Sequence, residues 1–340
     1  KNMRTCFFIN CVCVLLLACG LTGCDKELKM DAALTDIYVD RESVAMVIDD
    51  RLSVIAYPVP WDAGDIDFQW SSANTAVATV NNAGQIIAAG AGQTTVTVSQ
   101  GGISKAVSVN VRDLTLAELR VGAWLFEDAD NIGKATVGNP LVAYKMDGNK
   151  TLGSPSEEGF TVVDGPVAGK KAVRVPKQSY FKCTHGIAPN GGGTNVNQYT
   201  LLIDFRLPDL NRCCFFQTDM TNQNDVDFFM RANGYDFGIV GQYADIRETP
   251  FGTIEGARWY RLVISVNLGG TTRYFLDGIL IGEKTPGLDS NASFSKDGVL
   301  LFADEDGEDE IIDVAEVVIW DKPLNNAQAA SLGEAGKVIE

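Results

Sequence analysis

Phe68-Gln69-Trp70-Ser71-Ser72-Ala73-Asn74-Thr75-Ala76-Val77-Ala78-Thr79-Val80 decides how the first third of the chain reads. An aromatic-polar-aromatic start, a small polar turn and a second apolar-polar run describe two short strands on either side of a bend. Working outward, Ile37-Tyr38-Val39, Leu52-Ser53-Val54-Ile55-Ala56, Thr94-Thr95-Val96-Thr97-Val98 and Ala106-Val107-Ser108-Val109-Asn110-Val111 alternate in the same way, with Gly, Asn and Pro between them. Such strands at close intervals, within about eighty residues, suit a small two-sheet sandwich. Trp70 is expected to plug it, Val77 and Val80 to face inward, and Gly84 to supply a turn with positive φ.

The same residues resemble the signature of bacterial immunoglobulin-like group 2 domains. Asn82-Ala83-Gly84-Gln85-Ile86 and Gly90-Ala91-Gly92-Gln93-Thr94-Thr95-Val96-Thr97-Val98 continue it in order. The resemblance covers residues 32–112 and implies a spacer or adhesion module of cell surfaces. No pair of residues in it suggests catalysis. Trp61, beside Pro58 and Pro60, is expected to be a hydrophobic plug at a strand end, the alternative being an exposed loop residue.

After a short junction, a second β-rich region spans residues 116–335. Val121-Gly122-Ala123-Trp124-Leu125-Phe126, Ala172-Val173-Arg174-Val175, Tyr199 to Phe205, Trp259 to Val266 and Ile311 to Trp320 read as strands. Thr272 to Leu276, Asp277-Gly278 and Ile279 to Gly282 read as a hairpin with a type I′ turn. Pro323-Leu324 is expected to open a short helix that buries Ala327, Ala330 and Leu332. The chain is thus predicted to be all-β. The order of these pieces, above all Ile312-Asp313-Val314-Ala315-Glu316-Val317-Val318-Ile319-Trp320-Asp321-Lys322-Pro323-Leu324, resembles a laminin-G-like domain of the concanavalin A-like class. That resemblance implies a jelly-roll sandwich that most often binds glycans and sometimes proteins. A minority of the wider class hydrolyses polysaccharides. Fold alone does not decide among these.

Three groups of residues are candidates for chemistry. Asn190, Asn195, Asn222 and Asn224 lie in polar, glycine-rich stretches and can offer amides to sugar hydroxyls, while Tyr235 and Tyr243, with Phe237, can supply a flat platform. The acidic run Asp304-Glu305-Asp306-Gly307-Glu308-Asp309-Glu310 suits Ca²⁺, with Asp304 and Asp306 joined by Asp128 and Asp313 as structural ligands. Glu310, Asp313 and Glu316 evoke the carboxylates of β-glucan hydrolases. A regular strand, however, points Asp313 away from the other two, which argues against glycoside hydrolysis.

The N-terminus places the protein. Lys1 and Arg4 precede an apolar run from Cys6 to Leu17, the form of a secretory leader. Leu21-Thr22-Gly23-Cys24 resembles a bacterial lipobox, which implies a signal peptide over 1–23, acylation of Cys24, a tether over 24–31, and a location at the bacterial outer membrane or cell surface. Without residues 1–23 the chain holds 26 basic and 44 acidic residues, a formal charge of −18, which repels nucleic acid. Cys183, Cys213 and Cys214 then remain, too few for a disulfide framework. The expected function is non-catalytic recognition of carbohydrate or a surface glycan by a lipid-anchored protein. The alternative is an adhesion or scaffold protein that binds a protein partner.

Overall fold

The computed structural model describes residues 32–64, 66–147, 153–219, 227–239, 242–302 and 309–340. Cys24, Asn222, Asn224, Asp304 and Asp306 lie outside the described residues. The chain divides into two compact units between Asp113 and Leu114. Both are β-sandwiches: an immunoglobulin-like unit, then a jelly roll of two eight-stranded sheets.

In the first unit the strand Ser43–Val47 lies parallel to Ile103–Arg112, which pairs with Gly92–Gln100 and then Gln69–Ser72. A second sheet joins Arg51–Ser53, Gln85–Ala88 and Ala78–Val80. A two-stranded ribbon pairs Asp36–Val39 with Ala56–Val59. Alternation decides what is buried: Val107, Val109 and Val111 face the core while Ala106, Ser108 and Asn110 face water. Each buried valine stabilises the sandwich by about 1.5–3 kcal/mol. Val77 is buried, and Trp70 and Val80 pack against the same core. Gly84 has φ +75°, and a Cβ there would sit 2.3 Å from the Val54 carbonyl oxygen.

Two expectations for this unit are corrected. Leu52 to Ala56 is not one strand: the chain leaves one sheet after Ser53 and joins the ribbon at Ala56. Between them the Val54 amide donates to Gly84 and the Ile55 amide to Asp40 Oδ1. Trp61 is no plug, since 86% of it is exposed.

In the second unit one sheet runs Thr161–Asp164, Lys171–Val175, Ile312–Trp320, Gln198–Arg206, Trp259–Asn267, Thr272–Leu276, Ile279–Lys284, with Arg120–Trp124 beside Ile312–Trp320. The other runs Ser154–Pro155, Val142–Lys145, Ser179–Cys183, Val299–Leu301, Cys213–Gln217, Asp227–Met230, Asp236–Ile239, Gln242–Asp245. Their facing sides enclose a core built from Trp124, Tyr199, Ile203, Phe205, Phe215, Phe228, Leu262 and Val317, among others. Cys183 and Cys213 belong to it, and all three thiols are buried and unbridged. Asp277 and Gly278 both take positive φ, as a type I′ turn requires.

The outer face of the first sheet is covered by its own chain. Leu116 and Leu119 on one side, Leu324, Ala329, Leu332 and Ile339 on the other, pack on Leu202, Val263, Val318 and Trp320. The C-terminal helix is Asn326–Ser331, capped by Asn325 in a reciprocal box with Gln328. It starts later than expected, so Ala329 is buried and Ala327 and Ala330 face water.

Candidate functional site

At one rim of the second sandwich the loop after Ser179–Cys183 meets the segment that leads into Val299–Leu301. Asp289 joins them. Its carboxylate accepts from the Thr194 amide at 2.9 Å, the Asn195 amide at 3.0 Å and Asn197 Nδ2 at 2.8 Å. These donors, Asn197 first, hold its pKa below the usual carboxylate range. Gly191, Gly192 and Gly193 take positive φ, which lets the loop curl around that anion. His185 anchors the start of the same loop from within: its buried ring lies 2.8 Å from the Ser295 carbonyl oxygen and accepts from the Ile187 amide. Burial lowers its pKa, so it serves as a neutral brace.

The two pinned segments enclose an open polar cleft of about 270 Å³. Asn195, Asn291 and the hydroxyl residues Thr218, Ser290, Ser293 and Ser295 line it, with Asp219, Asp289, Asp297 and Lys296 among them. The Ser290 hydroxyl oxygen is buried there without a hydrogen-bond partner. Ala292 and Phe294 enter the core, Phe294 stacks on Tyr199 with ring centroids 3.6 Å apart, Ser293 between them is buried and donates its hydroxyl to the Ser290 carbonyl at 2.6 Å, and the flanking polar residues remain at the rim. Rigid amides, hydroxyls and carboxylates around a shallow cleft can exchange hydrogen bonds with a polyhydroxylated ligand.

The expected site residues divide. Asn195 lines this cleft. Asn190 does not offer its amide: Nδ2 donates to the carbonyls of Gln198 at 2.7 Å and Asp321 at 2.9 Å, and Oδ1 accepts from the Gln198 amide. It is a structural clamp. Tyr235 and Tyr243 do not form one platform. Tyr235 packs against the main core, whereas Tyr243 pairs with Gly238 and therefore shares the opposite face of its sheet from buried Phe237 and Ala244. Guanidinium groups cover both rings, Arg247 at 4.4 Å and Arg231 at 5.2 Å from the centroids. The residues missed by sequence reasoning are those of Asp289 to Asp297. Their signal was a dense polar run broken only by Ala292 and Phe294.

Of the expected calcium ligands, Asp304 and Asp306 lie outside the described residues, and Asp128 and Asp313 are engaged by cationic side chains. Asp313 is fully buried and already neutralised, with Arg174 Nε at 2.7 Å and Arg206 Nη2 at 2.6 Å. A cation there would meet two guanidinium groups. Asp128 pairs with Lys134 at 2.9 Å. Among the described residues no group of three or more His, Cys, Asp or Glu is placed to hold a metal.

A bulge overturns the parity expected for Asp313 and Glu316. Where Asp204 faces Glu316 and Phe205 faces Val314, Ala315 is the extra residue. Ile312, Val314, Val317 and Ile319 all enter the main core, so Asp313 and Glu316 both point to the outer face. There each is held by arginine. Arg261 takes Glu316 Oε2 at 2.9 Å and Asp204 through both carboxylate oxygens, at 2.6 and 2.8 Å. Burial raises the Glu316 pKa to about 7, reinforced by the Asp204 charge and offset by Arg261.

Residues 33–111 match the family model of the bacterial Ig-like domain (group 2). No curated protein matches the chain. Among solved structures it is similar to domain 4 of AbnA, a GH43 extracellular arabinanase from Geobacillus stearothermophilus, in complex with arabinotriose: 18% identity, 63% of this chain, 98% of that one, TM-score 0.43. It is also similar to the botulinum neurotoxin serotype D ligand binding domain in complex with N-acetylneuraminic acid, at 11% identity, 63% of this chain, 50% of that one and TM-score 0.43. The binding domain of Paraclostridial Mosquitocidal Protein 1 follows at 15% identity, 58% and 48% coverage and TM-score 0.40. The chain thus spans about half the length of the last two. What those proteins bind is a property of theirs.

Proposed function

We propose that this chain is a non-catalytic recognition protein of the bacterial surface, lipid-anchored through Cys24, whose second unit binds neutral carbohydrate in the rim cleft. The observation that carries this reading is the cleft itself: amides and hydroxyls, one of them buried and unpartnered, on two segments pinned by Asp289. The leader and the lipobox-like tetrapeptide support the location. The arginine pairing of Asp313 supports binding over hydrolysis, because its buried carboxylate is held between two guanidinium groups and is not left to attack a sugar.

The test is affinity electrophoresis of the purified full chain through gels that contain soluble neutral polysaccharides. Asn195→Ala combined with Asn291→Ala is expected to weaken retention about tenfold, the cost of a few lost hydrogen bonds. A variant that migrates like the wild type in every gel contradicts the assignment of the cleft. Release of reducing ends from any of the polysaccharides contradicts the non-catalytic reading.

A further inference from the structure

The described residues expose three large aromatic side chains, two on the first unit's two-stranded ribbon and one in the turn just beyond it: Tyr38 at 59%, Tyr57 at 47% and Trp61 at 86% exposure. Strand alternation sends Ile37 and Val39 into the core and Tyr38, Tyr57 and Val59 outward. The pairing register sets Tyr38 directly opposite Tyr57, with ring centroids 6.0 Å apart and planes tilted by 36°. Trp61 follows two residues beyond Val59, after Pro60. The second unit handles accessible rings differently. There Lys182 covers Tyr144, Arg206 covers Trp259, Arg231 covers Tyr243 and Arg247 covers Tyr235. No cation is placed over the rings of Tyr38, Tyr57 or Trp61 among the described residues, so their π faces stay open.

We infer that Tyr38, Tyr57 and Trp61 form a second ligand site, a stacking ridge for a neutral polysaccharide chain. An open ring face accepts the apolar C–H face of a pyranose, while the sugar's hydroxyls stay in water or reach polar neighbours. Charge selects the class. Asp36, Asp40 and Asp62 stand beside the ridge, and the cations near them among the described residues are themselves paired, Arg41 with Asp40 and Lys105 with Glu42. Anionic glycans and phosphate groups are therefore repelled. The first unit is on this account a binding module in its own right, and the inference rests on nothing in the second unit's cleft.

The experiment uses the full chain, insoluble cellulose in pull-down, and gels containing xylan, amylopectin, galactomannan or arabinan. Tyr57→Ala combined with Trp61→Ala is expected to lower retention on at least one of these about tenfold, while Trp61→Phe, which keeps a ring, retains most of it. Bound polysaccharide is also expected to shield Trp61, the one exposed tryptophan of five, from acrylamide quenching. Retention of the wild type on none of the five overturns the inference. So does equal retention of wild type and double variant, binding to alginate alone, or a wild-type dimer in sedimentation that the variant abolishes. Loss in the Asn195/Asn291 variant with full retention in the ridge variant would leave the cleft standing and remove the ridge; the converse would do the opposite.

Discussion

Arg261 shows how the second unit manages charge inside an apolar sheet face. Its side chain is wholly buried, and its guanidinium donates to Asp204, to Glu316 and to the carbonyls of Leu332 at 2.9 Å and Lys337 at 3.0 Å. All of its N–H donors are thereby used, which a lysine could not match. One cation faces two carboxylates, so the cluster holds one negative charge too many for a buried site. Burial pushes the Glu316 pKa up to about 7, against 4.5 for the free side chain. Between those two values the folded chain keeps a proton that the unfolded chain has released, so the contribution of this residue to stability is fully present below about 4.5 and is lost as pH rises through about 7. Thermal unfolding of the wild type is expected to lose about 1–3 kcal/mol across that window through this residue. Glu316→Gln should flatten that part of the curve. An unchanged slope in the variant would show that Glu316 is ionised throughout.

At the scale of elements, turns announced themselves and sheet assignments did not. Gly84 and Asp277-Gly278 were legible because positive φ leaves few residues to choose from. Gly84→Ala is therefore expected to destabilise the first unit by more than about 1 kcal/mol in urea unfolding, since the added Cβ meets the Val54 carbonyl oxygen. An unaffected midpoint would mean that the turn relaxes at no cost. Leu52 to Ala56 misled because alternation reports which side chains are buried, not which sheet the backbone joins. Trp61 misled because an exposed ring and a plug have the same sequence context, a tryptophan between prolines and a polar loop. Parity failed at Ala315 because a bulge adds one residue and leaves no mark of its own in composition. The candidate site was half legible for a related reason. Asn195 belonged to a visibly polar loop, but its partner segment, Asp289 to Asp297, lies about a hundred residues away and is joined to it only by long-range hydrogen bonds.

Taken as a whole molecule, the chain builds two sandwich units, and the cysteines among the described residues form no disulfide. Cys183, Cys213 and Cys214 are all fully buried. Burial pushes the Cys183 thiol up to about 12 and Cys213 higher still. Neither forms thiolate at neutral pH, so both are inert. Labelling of these three cysteines, followed peptide by peptide, is expected to track unfolding of the second unit and nothing earlier. Labelling in native buffer faster than global unfolding would reveal a local opening of its core. The acidic surface, with 44 Asp and Glu against 28 Lys and Arg, fits partners without negative charge.

Hydrogen exchange along the full chain tests the central claim most directly, measured with and without soluble oligosaccharides of whichever neutral polysaccharide retains it. Binding in the rim cleft predicts slower exchange in peptides covering 190–197 and 289–297, with no new reducing ends in the same tube. Unchanged exchange in both segments at saturating oligosaccharide would contradict it.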